Sequence, residues 1–176
     1  GNLDGITWRV TLGRDGRPLG YDAMHNCGCY HLFFPGPRWR TKPDPGATGT
    51  EPPLIPQRVP DWQPGTRPVI RVAATTHYIQ RVYDQPLGET RRGYTLRDYN
   101  RLRSLPDGHG GRHSLFGENG IVPHTVRRER WLLWPMGVPG PGQMRQWGHH
   151  ATAFIGRRHF DDPRLFERIF NWQSMN

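Results

Sequence analysis

Four side chains able to hold a metal ion or activate a nucleophile fall within one short run, His25-Asn26-Cys27-Gly28-Cys29-Tyr30-His31. They occupy alternate positions, so on an extended strand all four project from one face. Thiolate combined with imidazole suits zinc or copper far better than magnesium or calcium. Strand geometry limits how many of them could serve one ion. Four alternate positions span ~20 Å along a strand, whereas zinc requires every sulfur or nitrogen within about 2.0–2.3 Å. A flat strand therefore offers a pair, Cys27 with Cys29 or Cys29 with His31, and a bulge at Gly28 is needed to gather more. The other ligands fall to His149 and His150, beside Gly148, with His25, His77 and His159 as secondary candidates. The expectation is a zinc- or copper-binding domain with an open coordination position available for catalysis. The spacing is neither that of a zinc finger nor that of a ribbon, and Cys-x-Cys is one residue short of the covalent-haem signature. The bland counterpart is a pair of small buried cysteines with hydrogen-bonded histidines beside them.

A thiolate activated by imidazole is the rival chemistry, and cysteine early with histidine late is compatible with it. Cys27-Gly28-Cys29-Tyr30 resembles the Cys-Gly-Ser-Cys-Trp run of papain-like cysteine peptidases with one residue missing. His150-Ala151 is similar to that family's His-Ala segment, and Asn171-Trp172 to its Asn-Ser-Trp. The resemblance covers about a tenth of the chain and implies a cysteine-nucleophile hydrolase, with Cys29 as nucleophile, His150 as base and Asn171 as its orienter. Three departures stand against it: the family's first cysteine has no second partner here, Pro35 stops any long helix after the nucleophile, and Asn171 falls in an expected helix.

With Cys27 and Cys29 as its only cysteines, the chain cannot staple distant segments together and is not a disulfide scaffold. The redox compartment and the localisation stay open. The formal net charge is +9, and Lys42 is the only lysine among the cations. Such a field admits an anionic partner, either an acidic protein surface or nucleic acid, or a basic structural subunit that wraps an acidic partner in a larger assembly. Coding bias toward arginine explains the same composition. Arg127-Arg128-Glu129-Arg130-Trp131 and Arg157-Arg158 set cations beside aromatics, although no nucleic-acid-binding fingerprint accompanies them. No apolar run approaches the ~18 residues of a membrane span. The start at Gly1-Asn2 leaves open that the chain is a processed part or fragment of a longer one.

The elements that must position these residues read as an α+β fold: a mainly antiparallel β-sheet with long Pro/Gly-rich loops and two helices. Ile6, Trp8, Val10 and Leu12 alternate ahead of Gly13-Arg14-Asp15-Gly16, which predicts a strand and a hairpin turn. The return strand carries the His/Cys run and ends at Pro35-Gly36-Pro37. A long Pro-rich loop, pinned by Trp39 and Trp62, wraps over 35–68. Ile70, Val72 and Ala74 predict a strand within 69–83. Thr95, with Asp98 three residues on and Leu96, Tyr99, Leu102 and Leu105 behind it, predicts a mid-chain helix over about 96–105. Irregular chain follows to Pro123, and 130–134 and 151–155 read as strands. Asp162-Pro163 opens a C-terminal helix over about 163–172, with Leu165, Phe166, Ile169 and Phe170 on one face. No strong boundary divides the chain, so 1–176 is expected to form a single domain.

Overall fold

The computed structural model of the chain describes residues 5–25, 30–43, 52–88, 93–124, 128, 130–133, 135 and 162–174. Its centre is a three-stranded antiparallel sheet of β1 (Ile6–Leu12), β2 (Pro18–His25) and β3 (Leu32–Pro35), with β2 in the middle. The alternating segment and the Gly13-Arg14-Asp15-Gly16 turn form the first hairpin, closed by Gly13 N–H donating to the Arg17 carbonyl at 2.8 Å. Register puts Trp8 opposite Ala23 and Val10 opposite Tyr21, whereas Arg9 stands opposite Asp22. Asp22 in turn faces Phe33 on β3. Rows of side chains therefore alternate between the two faces of the sheet.

Both faces are covered, which is why β3 is buried along its whole length and β2 over Gly20–Met24. On one face Tyr21, Ala23, Leu32 and Phe34 pack with Val59, Ile79 and Val82. Ile79 and Val82 come from the hairpin of β5 (Thr66–Val72) and β6 (Ile79–Pro86). On the other face Phe33 meets Trp39, Leu165, Phe166, Ile169 and Phe170. These residues belong to β4 (Trp39–Thr41), α2 (Leu165–Ile169) and β9 (Phe170–Trp172). A minor strand pair, β7 (Leu105–Pro106) with β8 (Arg112–His113), and the single helical turn α1 (Arg130–Leu133) lie outside these layers. The class is the expected α+β with mostly antiparallel strands.

The helices are shorter than periodicity predicts. Over 96–105 only one 3₁₀ turn forms, Tyr99–Arg103, capped by the Asp98 side chain accepting from Asn100 N–H at 2.7 Å. Leu96 remains 85% exposed whereas Tyr99, Leu102 and Leu105 are half-buried, so the start of the apolar stripe finds no surface to bury against, and propensity alone rarely sustains a short helix. The C-terminal helix stops at Ile169 because Phe170–Trp172 pairs antiparallel with Trp39–Thr41. Residues 130–133 form a helical turn where a strand is predicted, and the predicted strand at 151–155 lies outside the described residues.

The Pro-rich segment runs beside the sheet edge. Leu54 bridges Leu32 in parallel, and its carbonyl accepts from Phe33 N–H at 2.8 Å. Gln57 then clamps the second hairpin: its side-chain amide donates to the Val82 carbonyl at 2.6 Å and accepts from Val82 N–H at 3.0 Å. No described helix is long and apolar enough to cross a membrane.

The contact of α2 with the sheet depends on a missing side chain. A Cβ on Gly20 would stand 2.8 Å from Cζ and 3.1 Å from Cε1 of Phe166, a ring already wedged among Phe33, Trp39 and Phe170. Gly20→Ala should therefore cost roughly 1–3 kcal/mol in urea unfolding, the usual penalty of overpacking. Adding Phe166→Leu should make the pair cost less than the sum of the two single changes; strict additivity would show that the two residues do not collide.

Candidate functional site

The His/Cys run is not one strand. β2 ends at His25 and β3 begins at Leu32, so His25 and His31 stand at the ends of two antiparallel neighbours. Tyr30 sits at φ +54°, in the left-handed region, which an extended strand does not contain. His25 and His31 thus do not share one ligand-bearing strand face. His25 turns its ring edge-on to Tyr30 at 5.2 Å between centroids, and Tyr30 meets Tyr78 of the β5–β6 turn in the same manner at 5.6 Å. His77 lies beside Tyr78 in that turn at φ +55°. His31 points inward: it is buried, stacks on Phe33 at 4.2 Å, and its Nε2 lies 3.6 Å from a carboxylate oxygen of Asp22. Cys27, Cys29, His149, His150 and His159 lie outside the described residues.

Among the described residues no three His, Cys, Asp or Glu side chains gather as a group that could hold a metal ion. The expectation of a zinc- or copper-binding domain is corrected on that finding. The physical reason is that the imidazole of His31 is buried against Asp22 and Phe33, while His25 ends β2 and His77 sits in the β5–β6 turn. Asn171, the orienter implied by the peptidase resemblance, is an exposed residue of β9 paired through its backbone with Arg40, not a helical one.

Asp22 is the buried charge that sequence reasoning overlooks. Arg9 grips it with both prongs: Nε donates to Oδ1 at 2.7 Å and Nη2 to Oδ2 at 2.7 Å. The remaining prong, Nη1, donates to the Asp162 carbonyl at 2.7 Å, fastening the approach to α2 onto the sheet. A two-pronged pair of this kind fixes both distance and plane. On the opposite face, burial first and then the negative charge of Asp84 push the Tyr21 hydroxyl up from 10.0 to about 12. Desolvation also raises the carboxyl of Asp84 above its ordinary value.

The other concentration of chemistry lies on the outer face of the β5–β6 hairpin. Register pairs Arg67 with Gln85, Val69 with Tyr83, and Arg71 with Arg81, and directly opposed residues share a face. Pro68, Ile70, Val82 and Asp84 occupy the inner face, consistent with Val82 and Ile70 belonging to the core. The outer face therefore presents three arginines and the 41% exposed ring of Tyr83. Among the described residues no carboxylate lies within ion-pair distance of Arg67, Arg71 or Arg81. The signal was available in the sequence as Arg-x-Tyr on the return strand, but only the register sets Arg71 against Arg81.

Comparison of the chain with protein-family models, with curated proteins and with solved structures finds no match in any of the three.

Asp22→Ala strands the Arg9 guanidinium beside the core, and the loss should approach about 3–5 kcal/mol, as for a broken buried ion pair. Arg9→Met combined with Asp22→Leu should recover most of it, which equilibrium unfolding of the three variants would check. For Tyr21 the sign follows from the raised folded value: the folded state holds its proton more tightly, so stability present below pH 10 declines as pH rises toward about 12. The melting temperature of the wild type should thus fall more steeply across that window than that of Tyr21→Phe. Parallel curves would show that Tyr21 does not drive the alkaline loss.

Proposed function

We propose that this protein binds single-stranded nucleic acid on the outer face of the β5–β6 hairpin. The observation that carries the reading is the direct opposition of Arg71 and Arg81, with Arg67 and the exposed Tyr83 on the same face and no pairing carboxylate among the described residues. Like charges set opposite each other in a sheet cost stability, roughly 0.2–1 kcal/mol on the scale of cross-strand pairs. That repulsion is relieved where an anion arrives between them. Guanidinium groups match phosphate geometry in a two-pronged fashion, and a tyrosine ring at the centre of the same face offers a stacking platform for a base. An acidic polypeptide would use the arginines but would leave the ring without a purpose. The net charge of +9 supports long-range attraction of a polyanion.

The hairpin allows function to be separated from folding. Arg71→Glu converts the like-charged rung into an opposite-charged one, so it should raise thermal stability slightly while weakening binding. Fluorescence anisotropy with a labelled twenty-nucleotide oligothymidine should report salt-sensitive binding by the wild type. Replacing both arginines by glutamine should lower the salt slope by roughly 1.4, since each phosphate contact on a single strand contributes about 0.7. Tyr83→Ala should weaken binding by about 1–3 kcal/mol, the range for one stacked base. Equal competition by polyglutamate would transfer the site to acidic polypeptides, and undiminished binding by Arg71→Glu would remove the hairpin from the reading.

A further inference from the structure

A second surface, remote from the opposed arginines, has a different chemical character. The β1–β2 turn, residues 61–64 and the α2–β9 corner enclose an open cleft of about 920 Å³. That volume falls within the range that ordinarily accommodates a small ligand. Three indoles line it, those of Trp39, Trp62 and Trp172. Trp39 and Trp62 spend their ring N–H groups inside the protein, on the carbonyls of Leu19 at 3.0 Å and Thr66 at 3.3 Å. What Trp62 can offer a ligand is therefore ring surface, whereas Trp39, almost fully buried, forms the floor beneath Trp172. Trp172 is 42% exposed yet firmly placed, edge-on to Trp39 at 4.9 Å and beneath the Arg38 guanidinium at 5.6 Å. An exposed, immobilised indole suits apolar contact with a ligand face.

The polar part of the lining narrows the ligand class. Arg14, Arg17 and Arg38 are balanced by Asp15, Asp61 and Glu167, and Arg17 is already paired with Asp15 at 3.3 Å. The cleft thus carries no net sign, unlike the hairpin face, and does not select a phosphate. Asp61, Gln63, Glu167 and Asn171 are exposed around it. Two of them are carboxylates that only accept hydrogen bonds, and two are carboxamides that both donate and accept. Such a set matches a ligand covered in hydroxyl groups, each able to donate and accept, whose ring carbons present a flat C–H face to an indole.

We infer that the cleft between the β1–β2 turn and the C-terminal strand binds a neutral oligosaccharide, with Trp172 as its stacking platform. Intrinsic tryptophan fluorescence of the full chain, titrated with cellohexaose, chitohexaose, xylohexaose, mannohexaose and maltohexaose, tests this. At least one sugar should give a saturable change. Trp172→Ala should weaken that binding at least tenfold, as should Asp61→Ala combined with Gln63→Ala, a change confined to exposed side chains and so independent of the β4–β9 pairing. Arg71→Glu should leave sugar binding unchanged, which keeps this site separate from the hairpin. The inference is overturned if no member of the panel saturates by ten millimolar, if both cleft variants bind as well as the wild type, or if adenosine monophosphate binds in the cleft in preference to every sugar.

Discussion

A carboxylate placed inside a sheet that is covered on both faces constrains everything around it. Asp22 sits on the middle strand, fully buried, where an unpaired charge would cost several kcal/mol. Arg9 on the neighbouring strand answers it with two parallel hydrogen bonds, and the same guanidinium reaches the Asp162 carbonyl. Three parts of the chain, separated widely in sequence, are thereby held in one geometry: β1, β2 and the approach to α2. An apolar residue at position 22 could fill the same space, but it would not dictate where the C-terminal segment lands. The geometry favours a role in specifying the arrangement over a role in adding stability.

That arrangement leaves the two faces of the sheet with different work. The face carrying Asp22 and Phe33 receives the aromatic cluster of Trp39, Phe166 and Phe170, whose rings meet edge-to-face or tilted at 4.9–6.4 Å. The face carrying Tyr21, Leu32 and Phe34 receives the β5–β6 hairpin. Because Gln57 engages both backbone groups of Val82, the hairpin is attached through polar as well as apolar contacts. On its outer face Arg71, Arg81 and Tyr83 are left exposed, while Arg67 and Val69 are half-buried.

Much of this was legible in the residues. Strict alternation over Ile6–Leu12 and the Gly13-Arg14-Asp15-Gly16 turn identify the first hairpin, and the β-branched run at 69–72 identifies the second. The misreadings have a common origin, which is that period alone does not say what an element meets. His25 and His31 share a period of two, yet they flank a reversal, because Ala23 pairs with Leu32. Leu96, Tyr99 and Leu102 have helical spacing, yet most of the predicted helix is absent where Leu96 finds nothing to cover it. Phe170 has helical spacing with Phe166, yet strand pairing with Thr41 claims its backbone. Arg9 and Asp22 were invisible for the opposite reason. Each looks like an ordinary solvent-facing residue of an alternating strand until the register sets them opposite one another.

The unfavourable Arg71–Arg81 rung can persist because of how much the other side of the hairpin buries. Ile79 and Val82 are almost fully buried, and each such side chain contributes about 1.5–3 kcal/mol. That outweighs a cross-strand repulsion of roughly 0.2–1 kcal/mol several times over. The rung lies near the hairpin tip, next to the turn that meets Tyr30, whereas the base of the same hairpin holds Trp62 through Thr66. The Arg71–Arg81 rung and the balanced, indole-lined cleft, to which the hairpin contributes no lining residue, thus lie toward opposite ends of the hairpin. Along the strands between Thr66 and Arg71, five residues place them ~17 Å apart. At that distance screening by physiological salt separates their fields, since the Debye length is about 8 Å. The charge of the rung is therefore screened from the cleft, and of the three arginines on the outer face only Arg67, next to Thr66, stands at the cleft's end of the hairpin.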